Sequence, residues 1–145
     1  MMNKEISENM LKSNTSIVGI VCKDGVIMGA DRRATAGNLI MTKDFTKITK
    51  VNDYLALSFT GGVADAQLNV KVVAAELKLK ELKTKVRPTT KEAANLISLM
   101  VYRNIRTPAM IPNIVGMLVA GVDEDGKSHL YTIDPSGGIN EVKDY

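Results

Sequence analysis

Two helical periods stand back to back in the middle of this chain, with strand patterns on both sides of them, and that order limits the fold more than any other feature. Ala66, Val70, Val73 and Leu77 recur at spacings of four, three and four, which is one face of a helix. Lys78, Lys80, Lys83 and Lys85 gather towards its end, where the helix dipole favours cations. Pro88 interrupts the chain, and Thr89-x-x-Glu92 is a capping box that opens a second helix. Ala93, Ile97, Met100 and Val101 are expected on its buried face, and Thr107-Pro108 ends it. Helices grouped in this way argue for α+β layering and against alternating βαβ units.

Before the helices, Ile17–Cys22 is continuously apolar, the pattern of a strand covered on both faces. Asp24-Gly25 marks a tight turn, and residues 26–30 return as a second apolar run, so a hairpin is expected at the centre of the structure. Residues 31–38 read as a polar loop containing glycine. Short strands are expected at Leu39–Thr42, 46–51 and 54–60, the last ending at Gly61-Gly62. After the helices, strands are expected at 114–122, 129–133 and Ile139–Val142, with turns at Asp125-Gly126 and Ser136-Gly137-Gly138. Residues 1–14 are polar, lack a strand pattern and lack the apolar stretch of a signal peptide. They read as a leader on a cytoplasmic protein.

Much chemistry is excluded by composition. A formal net charge of +3 with 4% aromatic residues gives no basis for nucleic-acid binding. One Cys (Cys22) and one His (His129) leave no intramolecular disulfide and no Cys/His zinc site. No apolar run reaches the length of a membrane span, so no membrane partner is expected. Glycine-rich phosphate motifs are missing, Gly61-Gly62 alone being weak, and no metal or organic cofactor is expected. His129, beside a turn, reads as an exposed strand histidine rather than a catalytic base.

One nucleophile needs no histidine. A threonine at a chain terminus carries its hydroxyl together with a free α-amine, whose unperturbed pKa of about 7.7–8.0 suits it as a base. Such a site also needs a cation near the hydroxyl, a carboxylate to orient the cation, and a backbone N–H facing the oxyanion. Thr15 opens the first strand, and Asp31 ends its hairpin partner. Lys47 opens a later strand, and Gly61 ends another, where bare backbone permits close approach. Each has an ordinary explanation when taken singly: a threonine after a leader, a solvated strand-end Asp, a surface Lys, a strand-to-helix turn. Spacing alone leaves the constellation open.

The run T-S-I-V-G-I-V-C-K-D-G-V-I-M-G-A-D-R-R-A-T-A-G-N over residues 15–38 resembles the opening of mature proteasome β subunits, archaeal ones above all. The resemblance continues through Lys47, Gly61-Gly62-Val63-Ala64-Asp65-Ala66-Gln67, Ala120-Gly121-Val122-Asp123 and Ile133-Asp134-Pro135-Ser136-Gly137-Gly138. It implies an N-terminal-nucleophile hydrolase, an αββα sandwich over residues 15–145 with residues 1–14 as a propeptide cleaved between Asn14 and Thr15. It implies Thr15 as nucleophile and, through its amine, base. Lys47 tunes the hydroxyl, Asp31 orients Lys47, and the Gly61 N–H is the oxyanion donor. Ala34, Phe45, Thr49, Phe59 and Val63 are implied as the primary substrate pocket, with Phe59 narrowing it towards modest apolar side chains. Arg33 is implied to be structural. Heptameric rings of β subunits stacked on α-subunit rings, an ATPase regulator acting indirectly, and unfolded polypeptide substrates are the implied partners.

The sequence departs from that pattern twice. Asn14 stands where the family usually has Gly. Family members also continue past the equivalent of Tyr145 into a Gly-Ser-Gly segment, two helices and further strands, which supply a serine and an Asp/Ser pair around the terminal amine. The sandwich expected here is therefore incomplete, lacking the C-terminal helices and strands, with apolar faces of Ile17–Cys22 or 114–122 uncovered. Two alternatives stay open: a non-catalytic ring or assembly subunit of the same fold, and a subunit of the bacterial ATP-dependent relative of the proteasome.

Overall fold

The computed structural model describes residues 15–36, 39–110 and 113–143. The expected leader, with Asn14 and its cleavage site, lies outside the described residues, as do Gly37 and Asn38 of the expected loop. Nine strands and two helices follow in the order β1 (Ile17–Cys22), β2 (Gly25–Ala30), β3 (Ala34–Ala36), β4 (Leu39–Thr42), β5 (Ile48–Asn52), β6 (Leu55–Gly61), α1 (Val63–Thr84), α2 (Thr90–Arg106), β7 (Val115–Val122), β8 (Ser128–Ile133) and β9 (Ile139–Val142) among the described residues. The α+β class holds, with three layers: the helix pair, a five-stranded antiparallel sheet in the order β5-β6-β7-β8-β9, and the β1-β2 hairpin.

The period of two along β7 explains why the sheet is covered on both sides. Val115, Met117 and Val119 face the helices in one core, with Leu55, Leu57 and Phe59 of β6, Val70, Val73 and Leu77 of α1, and Ala93, Ile97 and Val101 of α2. Leu118 and Ala120 of β7, with Leu130 of β8, face the other way and pack against Ile17, Val21, Val26 and Met28 of the hairpin. Gly19 permits that second contact, since a Cβ there would lie 2.8 Å from a Leu130 methyl. The capping box at Thr89 and Glu92 forms as expected, with Thr89 Oγ1 accepting from Glu92 N–H (3.2 Å) and Glu92 Oε2 from Thr89 N–H (2.9 Å).

Three expectations need correction. The hairpin is an outer, two-stranded layer and not the centre of the structure. Its inward residues alternate with Val18, Ile20 and Ile27, which reach water, Val18 at 60% exposure. The uncovered face is thus the hairpin's, whereas β7 is buried along nearly its whole length. Residues 34–36 form a short strand, not loop, paired with β4 through a register shift between Ala34 and Thr35. His129 is half-buried, with Nδ1 2.9 Å from Glu141 Oε1, and its ring stacks on Tyr131.

Candidate functional site

Hairpin pairing brings the first two site residues together. Ile17 is opposite Ala30, so Ser16 and Asp31 meet at the open end of the hairpin. Asp31 N–H donates to the Ser16 carbonyl (3.1 Å), and Ser16 N–H donates to Asp31 Oδ1 (2.9 Å). Arg33 N–H donates to Asp31 Oδ2 (3.1 Å), which fixes the carboxylate from its other side. The Phe45 N–H bonds the Arg32 carbonyl at 2.7 Å, tying the segment before β5 to the end of β2.

Lys47, immediately before β5, is only 4% exposed, so the reading of it as a surface charge fails. Its ammonium Nζ donates to Thr15 Oγ1 at 3.1 Å and to Asp31 Oδ1 and Oδ2 at 3.0 and 2.9 Å. A buried ammonium needs such partners, because desolvation without them would cost several kcal/mol. The carboxylate responds in turn. The Lys47 hydrogen bond first, and the Ser16 N–H next, hold Asp31 well below its ordinary value, at about 2. At neutral pH the Asp31 carboxylate is therefore ionised, and Lys47 Nζ links it by hydrogen bonds to the Thr15 hydroxyl. An ammonium at that distance stabilises negative charge developing on the hydroxyl oxygen.

Gly61 ends β6 opposite Val115 with φ +109°, a conformation that side chains rarely adopt. A Cβ there would fall 2.2 Å from the Ile114 carbonyl oxygen, so the position demands glycine. Two residues earlier, Phe59 N–H donates to the Lys47 carbonyl (3.3 Å), so that side of β6 faces the Lys47 end of β5. Among the five expected pocket residues, Phe45 and Phe59 meet edge to face, with ring centroids 6.3 Å apart. Ala34, Thr49 and Val63 are half-buried in β3, β5 and the first turn of α1.

Sequence reasoning missed the two backbone donors to Asp31. Ser16 acts through its main chain, so its side-chain type carries no signal. The Asp-x-Arg order at a strand end was the only available hint of the Arg33 contact, an N–H two residues on from a carboxylate. A separate cavity of about 640 Å³ opens at the turn end of the hairpin, lined by Val26, Met28, Tyr54, Ala56, Arg87 and Ala120 among others. Thr15, Asp31 and Lys47 are not part of its lining. Among the described residues, no group of three or more His, Cys, Asp or Glu could hold a metal ion, and no helix is long and apolar enough to cross a membrane.

Known proteins resemble this chain along most of its length. The chain is 36% identical over 143 residues to a proteasome subunit beta of Methanococcus maripaludis, covering 99% of this chain and 63% of that relative. It is 39% identical over 139 residues to the proteasome subunit beta of Archaeoglobus fulgidus, covering 94% of this chain and 62% of the relative. With the proteasome subunit beta of Nanoarchaeum equitans the identity is 38% over 131 residues, covering 90% and 65%. The chain thus spans less than two thirds of the length of these relatives. The family described as proteasome subunit matches residues 11–145, and with archaeal relatives above one-third identity along most of its length, the chain belongs to that family.

Proposed function

We propose that this chain is a threonine-type endopeptidase subunit of a proteasome core particle, acting through Thr15 once residues 1–14 have been removed by self-cleavage. One observation carries the reading: a buried lysine ammonium lies 3.1 Å from the Thr15 hydroxyl oxygen and 2.9 Å from the carboxylate that orients it. Scission of the Asn14–Thr15 bond frees the α-amine. Thr15 Oγ1 then attacks the carbonyl carbon of a bound peptide while its proton passes to that amine. Lys47, held by Asp31, stabilises the oxygen as the proton leaves, and the Gly61 N–H receives the oxyanion. Collapse breaks the C–N bond, the ammonium proton goes to the leaving nitrogen, and an ester remains on Thr15. Water, deprotonated by the same amine, hydrolyses the ester and restores the hydroxyl.

Ala34, Phe45, Thr49, Phe59 and Val63 form the primary pocket in this reading, and the Phe45–Phe59 contact supports a narrowed, apolar floor. Residues 15–145 belong to the hydrolase domain in this reading. The working unit is a heptameric ring joined to α-type subunits, fed with unfolded polypeptide in the cytoplasm.

The test is hydrolysis of a panel of peptide-fluorophore substrates by the chain co-expressed with α-type subunits. Cleavage after modest apolar side chains, abolished by Thr15→Ala, is expected. Undiminished cleavage by Thr15→Ala overturns the assignment, and an inert wild-type particle establishes the non-catalytic ring subunit instead.

A further inference from the structure

His129 of β8 stands between two carboxylates, one from each neighbouring strand. Its Nδ1 lies 2.9 Å from Glu141 Oε1 of β9, and its Nε2 lies 3.7 Å from Oδ2 of Asp123, just after β7. The imidazole and Asp123 are largely shielded from water, at 25% and 16% exposure. Asp123 also holds the start of α2, because its Oδ1 accepts from the Thr90 N–H and from the Thr90 hydroxyl, both at 2.7 Å. Thr90 is fully buried, and Gly121 leaves the space it fills, since a Cβ there would meet Thr90 Oγ1. Asp123, His129 and Glu141 thus form a row from the root of α2 across the sheet to strand β9.

A carboxylate can only accept. A neutral imidazole has one N–H and one lone pair, so in this row one ring nitrogen turns its lone pair on a negative oxygen. The imidazolium has an N–H for each carboxylate and sets one positive charge between two negative ones. Histidine is the side chain that changes charge between about pH 5 and 8. Its neighbours do not switch there. Glu141 is held below its ordinary value, by the His129 contact first, and Asp125 in the turn before β8 is held low by the Lys127 N–H first. Tyr131, stacked on the ring, is pushed up to about 12 by burial first and stays neutral. Lys91 of α2 lies near Glu141, and Lys127 pairs with Asp125 at 3.2 Å, so both are engaged outside the row.

We propose that His129 is a proton-operated clasp, which when charged ties β9 to the Asp123 that anchors α2 and when neutral lets that edge of the sheet loosen. The row includes none of Thr15, Asp31, Lys47 and Gly61, so its test is independent of the peptidase reading. Stability carried by the charged ring is present in acid and lost as pH rises. The test applies thermal melting and hydrogen exchange to the full chain and to His129→Gln, at about pH 5.5 and about pH 8. Wild type is expected to melt about 2–5 °C above the variant at the lower pH and within about 1 °C of it at the higher. The β9 amides, corrected for intrinsic exchange, should be about fivefold better protected in wild type at the lower pH only. A gap of the same size at both pH values makes His129 a packing residue and overturns the proposal, as does a gap that grows towards alkaline pH. Glu141→Gln supplies the second arm should His129→Gln fail to fold, since that side chain is 46% exposed and the change removes one of the two charges while keeping its shape. Its gap to wild type should also be larger at the lower pH, and a gap independent of pH, or no gap, overturns the clasp.

Discussion

Replacing Lys47 with methionine keeps a straight side chain of similar length in a buried slot and removes one ammonium. Three acceptors lose a donor: Thr15 Oγ1 at 3.1 Å, Asp31 Oδ1 at 3.0 Å and Asp31 Oδ2 at 2.9 Å. Asp31 is not orphaned. Its carboxylate keeps the Ser16 and Arg33 N–H donors, and 33% of the side chain reaches water. A hydrogen bond to a charged group contributes about 1.5–3 kcal/mol. Solvent at Asp31 and relief of the lysine's own desolvation reduce the net loss to about 1–2 kcal/mol. That corresponds to a fall in melting temperature of roughly 3–8 °C for a chain of this size.

Activity should respond far more strongly, because in the proposed mechanism the ammonium stabilises charge that appears only in the transition state. Removing such a donor costs about two to three orders of magnitude in kcat. The assay pairs thermal melting with peptide-fluorophore hydrolysis by particles assembled with α-type subunits. A kcat at least about 100-fold lower, with KM little changed, is the expected result. A variant that keeps kcat within about threefold of wild type would refute the role given to Lys47, whatever its stability.

Gly61→Ala must place a Cβ 2.2 Å from the Ile114 oxygen at a φ of +109°. Backbone strain of about 1–3 kcal/mol plus the displaced β7 strand should lower stability by more than about 2 kcal/mol in denaturant titration. A neutral result would mean that β6 and β7 do not close at this point as described. Acid should also weaken the fold. Asp31, with an ordinary value of 3.8, is held at about 2. A carboxylate depressed by folding contributes stability above its unfolded pKa and loses it as pH falls through the folded one. Wild type should therefore lose more melting temperature than Asp31→Asn between about pH 4.8 and pH 2. Asp53, Glu92, Asp125, Asp134 and Glu141, all likewise held low by hydrogen bonds, lose stability in the same direction in both chains. An equal acid loss in the two proteins would contradict the assignment.

The site was legible where chain connectivity fixes geometry. The turn expected at Asp24-Gly25 closes one residue earlier, with Lys23 and Asp24 between the paired Cys22 and Gly25, and the register then carries Asp31 back to Ser16 without any knowledge of the rest. The helices were legible because a period and a capping box mark them independently. The hairpin's position was not. A continuous apolar run states that a strand can be covered twice, and Val18, Ile20 and Ile27 remain exposed because coverage depends on what packs against it. Ala34–Ala36 escaped because three small residues cannot display a period, and their pairing with β4 is irregular. The burial of Lys47 was equally hidden, since a lysine reads as surface charge until the Asp31 carboxylate beside it is placed.

The most direct test is intact mass spectrometry of the chain after assembly with α-type subunits, combined with sequencing of the new N-terminus. The account predicts a mass lower by that of residues 1–14, with Thr15 first, and no such loss in Lys47→Met. A peptidase-active particle whose chain still carries residues 1–14 would contradict it, because the threonine would then be working without the amine on which its chemistry depends.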